Sequence, residues 1–445
     1  MAIIVIQVGQ CGNQVGERFY NTILNELIEN PKSYPPNLPG ARTFVDTLTE
    51  RFFTENKKGL LEAKAILVDT EQKVVESDLK KAAGDWCYDR KQIVAEKRGA
   101  GNNWAHGYVT HGPKLRERVL ECIDRQLEKT DTIDGFLILM SVAGGTGSGV
   151  GAYITQLLRE CYPHTSIVNQ VVWPYDSGDV IVQNYNAVLS LSRLLNASDA
   201  IIVTENKKLH DISSKLLHVD KVTFNDLNDV LSAQLANLLL PAHQRQRADG
   251  WTYPIRHPLS DMLEHMVCHP QYKLLTMTDI PHVWNKARTF NVYQWDSLLK
   301  NLRQMSVSDW HMEEGINWNI KVDKHFNFNR SIANLLVARG EDAHNIDTSP
   351  LSDPQLYTPS ANNVQLGLLE WGNVRPMLHA PKSALLLSNC QSVVPTLNQV
   401  INRAWEMFGA RAYIHEYAKE GVLEEDFVDS FATIEQLCTH YSNLR

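Results

Sequence analysis

The sequence has few cysteines and no long apolar run, and both shortages restrict the class of protein. Its seven cysteines are odd in number and widely separated, and no two form a Cys-x-x-Cys pair. This usage differs from that of a disulfide framework or a zinc ribbon, and it predicts a reducing, cytoplasmic compartment. No stretch approaches the ~20 apolar residues of a transmembrane helix, so we expect no membrane insertion.

An excess of charge of one sign is also missing. The chain has 445 residues, of which 43 are basic and 51 acidic, giving a net charge of −8 without a long block of either sign. Nucleic-acid-binding surfaces are typically basic, so nucleic acid is not an expected partner. A hydrophobic fraction of 43% over this length suffices for two or three domains with packed cores.

Short apolar runs rich in β-branched residues alternate with helical patterns through the first half of the chain. The predicted strands cover residues 3–8, 63–68, 136–142, 167–173 and 200–204, and the predicted helices cover residues 14–28, 115–128, 150–159 and 181–195. This alternation predicts an α/β fold, with a mostly parallel sheet covered by helices on both faces. Ligands of such folds bind outside the carboxyl ends of the strands. The loops that follow the strands are therefore the predicted binding region.

The second half of the chain has a different pattern. Apolar residues at three-and-four spacing predict a long buried helix from residue 222, which Pro241 ends. A region of mixed strands and helices follows, and the patterns at 394–407 and 427–441 predict a helical hairpin at the surface. We therefore predict four segments: 1–221, a core helix at 222–241, an intermediate region at 242–375 and a C-terminal region at 376–445.

A glycine cluster follows the predicted strand 136–142 and opens a helical pattern. It has four glycines, at 144, 145, 147 and 149, with Thr146 and Ser148 between them. Glycines let backbone N–H groups converge on an anion, and the N-terminus of the following helix adds partial positive charge. The cluster lacks the lysine of the Gly-x-x-x-x-Gly-Lys motif and the Gly-x-Gly-x-x-Gly spacing of dinucleotide enzymes. It predicts a phosphate loop of another type and disfavours a nicotinamide-dependent enzyme.

Two further glycine-rich turns are predicted at the same edge of the sheet. Residues 9–14 follow the first strand, where backbone N–H groups and the Gln10 amide are candidates for binding a second phosphate. Residues 99–104 form a third turn. A plain turn explains either segment taken alone. Three such turns in one sheet indicate a polyphosphate ligand.

Acidic and amide side chains extend this candidate site. Asp69 and Glu71 follow the strand 63–68, and Mg²⁺ commonly takes one or two carboxylates, directly or through water. A helix cap is the simpler explanation of that pair alone. Asn206 and Asn228 are candidates for a purine edge because an amide offers both a donor and an acceptor. Phe224, one turn before Asn228, is placed to stack on the base.

Taken together, these segments resemble the tubulin family. The segments that carry the resemblance are residues 9–14, 68–71, 101–105, 144–149 and 185–186, and residues 411–417 resemble the start of the family's C-terminal helical region. The resemblance spans nearly the whole chain, and the set of loops in this order is specific. Residues 173–175, 180–186, 302–305 and 312–316 further resemble the delta branch of the family.

The resemblance implies a tubulin-like fold, with a Rossmann-like GTP-binding domain, a core helix, a mixed α/β intermediate domain and C-terminal helices. It implies GTP or GDP as the ligand and Mg²⁺ on the side of Asp69 and Glu71. It assigns Asp179 to the ribose loop, and Gln183 replaces a glutamate of lattice tubulins. The residues expected at the nucleotide are Gln10, Cys11, Gln14, Asn102, Ser141, Ala143, Gly144, Gly145, Thr146, Gly147, Ser148, Gly149, Asp179, Asn206, Phe224 and Asn228.

The resemblance also bears on catalysis. In this family, an acidic residue from the next subunit of a filament positions the water that attacks the γ-phosphate. Alignment puts Asp261 at that position, where alpha-tubulin has a glutamate. Aspartate is one methylene shorter, and catalysis by positioning is sensitive to about 1 Å. Two alternatives stay open: a GTPase that Asp261 completes in trans, and an Asp261 that caps its helix or faces solvent.

The delta-branch resemblance implies a cytoskeletal protein of the cytoplasm. It implies action at centrioles and basal bodies, in the formation or stability of compound (triplet) microtubules and in cilium or flagellum assembly. The expected partners are other tubulin-family subunits, joined longitudinally through the nucleotide face, and centriolar microtubules. An alternative from a different class is an adaptor that binds GTP without hydrolysing it and docks onto another tubulin-like partner.

Overall fold

The computed structural model describes residues 1–28, 41–81, 84–178, 180–245, 252–283, 293–323, 327–358, 367–377 and 380–444. The chain forms two compact units. The first contains Met1–Asn21, Asp46–Glu205 and Val394–His440, and the second contains Thr22–Val45, Asn206–Val393 and Tyr441–Arg445. In the described part of the chain, no helix is long and apolar enough to cross a membrane.

The strands, in chain order, are β1 Ala2–Val8, β2 Phe53–Glu55, β3 Leu61–Ala63, β4 Ala65–Asp69, β5 Trp86–Cys87, β6 Ile93–Ala95, β7 Ile133–Ser141, β8 Ser166–Trp173, β9 Ala200–Glu205, β10 His243–Arg245, β11 Thr252–Pro254, β12 Leu274–Ile280, β13 Ser331–Gly340, β14 Leu368–Asn373 and β15 Lys382–Cys390. The α-helices are α1 Gly9–Ile28, α2 Ala41–Phe52, α3 Gln72–Lys81, α4 Gly112–Glu128, α5 Gly151–Cys161, α6 Gln183–Ala197, α7 Asn206–Asp211, α8 Phe224–Leu239, α9 Pro258–Met266, α10 Trp295–Ser308, α11 Val394–Gly409, α12 Ile414–Ala418 and α13 Glu424–Ser442.

The main sheet of the first unit is parallel, in the order β9-β8-β7-β1-β4-β6. Every residue of β1 is buried, as are the central residues of β7. Strands buried on both faces need apolar residues at successive positions, and this explains the continuous apolar runs in the sequence. The predicted α/β fold is confirmed. Because the strands are parallel, the loops after β1, β4 and β7 leave the sheet at one edge.

Three helices begin one or two residues later than the sequence predicts, and for the core helix the local chemistry explains the shift. The core helix α8 begins at Phe224 because Thr223 and Asp226 form a capping box, in which each side chain bonds the other residue's backbone. The helix α6 begins at Gln183, and Ile181 before it is 65% exposed. A π-helical turn, Thr146–Val150, precedes α5, so regular helix begins at Gly151.

The sheet of the second unit is mixed, in the order β11-β10-β14-β13-β15-β12, and only β13 and β14 pair in parallel. The core helix α8 belongs to this unit. Arg339, on β13 and only 1% exposed, donates to the carbonyl oxygens of Asn237, Leu240 and Pro241. These bonds satisfy the unpaired carbonyls at the end of α8 and fix where the helix stops.

The C-terminal helices that the sequence predicts are confirmed. Aromatic rings of α11 pack on those of α13, with ring centroids 4.4 Å apart for Trp405 and Phe431 and 5.8 Å apart for Phe408 and Phe427. The indole N–H of Trp405 also donates to Glu435 at 2.7 Å. On its other side α11 packs against α6, so these helices continue the core of the first unit.

Candidate nucleotide site

Two of the three glycine-rich turns lie directly against each other in the first unit. Gly9, between β1 and α1, has a φ of +72°, and a Cβ there would lie 2.9 Å from the backbone nitrogen of Gly147. A left-handed φ and so close an approach both require glycine. The start of α1 is therefore held beside the glycine cluster, as expected for loops at one edge of a parallel sheet.

The third turn packs on the same cluster. A Cβ on Gly145 would lie 2.7 Å from the backbone nitrogen of Asn103, and a Cβ on Gly149 would lie 2.3 Å from the carbonyl oxygen of Trp104. Asn102 is exposed with a φ of 54°, and its Oδ1 would lie 3.5 Å from a Cβ on Gly144. The three turns thus converge, and the glycines are required because backbone packs against backbone.

Hydrogen bonds shape the glycine cluster from within. The hydroxyl of Ser148 donates to the carbonyl oxygen of Gly144, and Ser141 Oγ accepts from the N–H of Ala143 at 3.2 Å. The hydroxyl of Thr146 is 2.5 Å from that of Thr70, which follows β4. Ser148 is fully buried, so its hydroxyl supports the turn in this conformation. Contact of Ser148 with a phosphate stays a prediction.

The two candidate carboxylates differ in environment. Asp69 is 3% exposed and accepts from the N–H of Glu71 at 3.0 Å and from Asn13 Nδ2 at 3.4 Å. Burial raises the pKa of Asp69 to about 6, and the negative charge of Glu71 adds to the rise. Glu71 is exposed, and its Oε1 would lie 2.4 Å from a Cβ on Gly99, at the start of the third turn.

These groups fit a hydrated magnesium ion. Burial raises the pKa of Asp69, and a buried carboxylate with a second carboxylate near it gains stability from a bound cation when it is ionised. Within the described part of the chain, Asn13 Oδ1 is buried without a hydrogen-bond partner, and a metal-bound water is a suitable donor to it. Asp69 and Glu71 are therefore the residues that would hold the ion, directly or through water.

The first two turns of α1 carry three predicted contacts. Gln10 is exposed, and Cys11 and Gln14 are half-buried. Desolvation raises the pKa of the Cys11 thiol to about 12, so the thiol stays protonated at neutral pH and is not a nucleophile. Gln10 follows Gly9, which packs on the glycine cluster, so an exposed amide side chain is available near the turns.

These sequence features match a known family. A sequence model described as the Tubulin/FtsZ family, GTPase domain, matches residues 2–214. The chain is 40% identical over 459 residues to the tubulin delta chain of Macaca fascicularis, with all of both chains covered. The chain belongs to the tubulin family. It is also 39% identical over 459 residues to the Homo sapiens tubulin delta chain, with all of both chains covered. It is 26% identical over 456 residues to a tubulin gamma chain of Candida glabrata, with 99% of this chain and 93% of that one covered.

Membership of the tubulin family assigns a ligand class to the converging turns. The match to the GTPase domain covers all three turns, and it implies that this domain binds GTP or GDP. The contact of each residue with the nucleotide stays a prediction.

Two side chains bond the loop before α6, which is predicted to contact the ribose. Gln183 Nε2 donates to the carbonyl oxygen of Tyr175 at 2.8 Å, and Arg403 on α11 donates to the carbonyl oxygen of Asp176. Asp179, the predicted ribose contact, lies outside the described residues. The glutamate of lattice tubulins is an acceptor when ionised and does not make the bond that Gln183 makes here.

Three predicted base contacts belong to the second unit. Asn206 begins α7 and is half-buried, and α7 packs against α8. On α8, Phe224 is 58% exposed and Asn228 is 6% exposed. Phe224 and Asn228 are four residues apart and share one face of the helix. Their contact with guanine stays a prediction.

The predicted catalytic residue also lies in the second unit. Asp261 is half-buried in the first turn of α9, and Glu264, three residues later, is exposed. A filament contact that reaches this helix face would meet both carboxylates. Whether Asp261 acts in trans stays a prediction.

Two residues near the turns were missed as contributors to the site. Thr70 lies between the candidate carboxylates and bonds Thr146, but a threonine at that place has no motif to mark it. Asn186 is fully buried and donates to the carbonyl oxygens of Asn102, in the third turn, and Ala143, at the start of the glycine cluster. A buried asparagine in an otherwise apolar helical pattern is a signal that can be sought in a sequence, because such an amide must be hydrogen-bonded.

Proposed function

We propose that this tubulin-family chain binds GTP through the converging turns of the first unit, with Mg²⁺ at Asp69 and Glu71. We further propose that it acts in the cytoplasm at centrioles and basal bodies, in the formation or stability of compound microtubules and in cilium assembly. The observation that supports the binding is the close packing of three glycine turns at the carboxyl ends of parallel strands. The cellular role follows from the similarity to tubulin delta chains.

In this proposal, backbone N–H groups of residues 144–147 and the start of α1 hold the phosphates. Their positions are fixed by glycine packing, so little reorganisation accompanies binding. Gln10 and Asn102 add side-chain amides from the flanking turns. Magnesium supplies neutralisation of phosphate charge when it is bound. Asn206 and Asn228 read the guanine edge, and Phe224 covers the base.

Hydrolysis in this proposal needs a second subunit. A carboxylate acts by holding and orienting a water molecule, and Asp261 of the next subunit supplies it through a longitudinal contact. The partners proposed are other tubulin-family subunits and centriolar microtubules. The second proposal is an adaptor that keeps GTP as a structural cofactor. The short side chain of Asp261 favours the adaptor, because a misplacement of about 1 Å weakens catalysis by positioning.

The rate of GTP turnover per subunit across a concentration series tests the proposal. If self-association completes the site, the specific rate rises steeply with protein concentration, and Asp261→Ala abolishes it while GTP binding remains. Asp261→Glu, which restores the longer side chain of alpha-tubulin, is expected to raise the rate. Exposed Glu264→Gln is the matched control on the same helix. Bound GTP with no turnover at any concentration, in both the native protein and Asp261→Glu, would exclude the homotypic GTPase and favour the adaptor.

A further inference from the structure

One buried amide joins two of the nucleotide turns. Asn186 Nδ2 donates to the carbonyl oxygens of Asn102 at 2.8 Å and Ala143 at 2.7 Å. Its Oδ1 accepts from the N–H of Trp104 at 3.0 Å. Asn186 is fully buried, so these bonds are shielded from competing water. The turn at 99–104 and the start of the glycine cluster are therefore tied to the same side chain on α6.

The fourth bond to this amide comes from the C-terminal part of the chain. The hydroxyl of Tyr417, on α12, donates to Asn186 Oδ1 at 2.7 Å. Asn186 Oδ1 then accepts two bonds and Nδ2 donates two, which is the full capacity of an amide side chain. The amide has one orientation that satisfies all four bonds, and Tyr417 is one of the groups that fix it.

Other contacts join the same C-terminal segment, residues 412–420, to the third turn and to His106 and Thr110, which follow that turn. Asn103 Nδ2 donates to the carbonyl oxygen of Glu416 at 3.3 Å. The Glu420 carboxylate is 2.9 Å from His106 Nδ1 and accepts from the Thr110 hydroxyl at 2.5 Å. All these residues lie in the first unit. The segment is thus bonded to the backbone or side chains of a turn that the proposed nucleotide contacts.

We infer that Tyr417 is a positioning residue for the nucleotide turns, and that segment 412–420 controls how long the nucleotide is retained. Tyr417 acts through Asn186, whose amide holds Asn102 and Ala143 at the spacing that both turns need to contact one ligand. The effect on nucleotide retention rests on the proposed function. The effect on the position of the turns does not.

The physical basis is a change in the fraction of binding-competent turns. Without the Tyr417 hydroxyl, Asn186 Oδ1 keeps one donor, and the amide is less firmly fixed against rotation. Release of the nucleotide requires the turns to separate, so the dissociation rate rises in proportion to the fraction of nucleotide-bound molecules whose turns are apart. Loss of one hydrogen bond of ordinary strength corresponds to about a fivefold change in that fraction when the bond exists only in the competent state.

The test compares Tyr417→Phe with Tyr441→Phe. The control matches closely: Tyr441 is fully buried, and its hydroxyl donates to Asn389 Oδ1 at 2.9 Å, but both residues lie in the second unit. The measurements are the dissociation rate of a fluorescent GDP analogue and, in nucleotide-free protein, hydrogen exchange of peptides covering residues 99–106 and 141–145. We expect Tyr417→Phe to release nucleotide about fivefold faster than Tyr441→Phe and to speed exchange in both peptides.

The outcomes separate the inference from the proposed function. If native protein binds GDP and the two variants release it equally fast, control of retention by segment 412–420 is wrong. If native protein binds no guanine nucleotide, the proposed function fails, and hydrogen exchange decides the positioning role of Tyr417. Equal exchange in the two variants would then overturn that role, and faster exchange confined to Tyr417→Phe would support it.

Discussion

Replacing Asp69 with asparagine is expected to stabilise the nucleotide-free protein and to remove its response to magnesium. The pKa of the buried Asp69 carboxyl rises from 3.8 to about 6, so the folded protein holds this group ionised at neutral pH at a cost. A difference of about 2 pKa units corresponds to about 3 kcal/mol. Loss of the weak contact from Asn13 reduces the gain by about 1 kcal/mol. We therefore expect the free energy of unfolding to rise by about 2 kcal/mol in Asp69→Asn.

The sign of the pH dependence follows from the same values. Because the folded pKa lies above the unfolded one, ionisation of Asp69 destabilises the native protein. The full cost is present above pH about 6, falls as the pH falls, and vanishes below pH about 4, where the carboxyl is protonated in both states. The stability advantage of Asp69→Asn must therefore be largest at pH 7 to 8 and absent near pH 4.

Denaturant unfolding at several pH values, with and without magnesium and GTP, measures both effects. Native protein should gain stability from magnesium above pH about 6 and lose that gain below it, because the ion requires the ionised carboxylate. Asp69→Asn should gain none. Glu76→Gln is the control, since Glu76 is an exposed carboxylate on α3 and its loss should leave the metal-free stability within about 0.5 kcal/mol and the magnesium response unchanged. An Asp69→Asn protein that is less stable at pH 7.5, or that keeps the magnesium response, would refute the reasoning.

Three further substitutions test the supports of the turns. Thr70→Val removes a hydroxyl but keeps the shape, and should weaken GTP binding several-fold by calorimetry, whereas Thr70→Ser should not; equal affinities would dismiss the bond to Thr146. Gln183→Glu replaces the donor to the Tyr175 carbonyl with an acceptor and should speed hydrogen exchange at residues 175–178. Unchanged exchange would show that the bond from Gln183 does not hold this loop. Gly145→Ala puts a Cβ 2.7 Å from backbone atoms and should lower both the melting temperature and the nucleotide content of the protein. Gly84→Ala, whose Cβ would have nothing within 4 Å, should change neither. Equal melting temperatures for the two variants would show that the turns can move apart to admit the Cβ.

The sheet and its ligand-binding edge could be predicted because their signals are local. A parallel strand buried on both faces needs a continuous apolar run, and β1, β4, β7 and β9 all have one. Glycine after such a strand marks a place where backbone approaches backbone, as Gly9 does against Gly147. These features depend on a few neighbouring residues, so the pattern alone gives them.

Other features depend on partners that are far apart in the chain. Tyr417 and Asn186 are separated by 231 positions, and no local pattern connects a tyrosine on one helix with an asparagine on another. The raised pKa of Asp69 likewise depends on its burial in the folded chain. The start of α8 was displaced for a simpler reason, since the capping box of Thr223 and Asp226 outweighs hydrophobic periodicity at that helix end.

Thermal unfolding of the purified protein with GTP, GDP, ATP or NAD at equal concentration tests the central claim most directly. A ligand present at about 100 times its dissociation constant stabilises the folded state by about 2.7 kcal/mol, which shifts the melting temperature by a measurable amount. The account predicts stabilisation by GTP and GDP, larger with magnesium, and none by NAD. Stabilisation by NAD without any response to guanine nucleotides would contradict it.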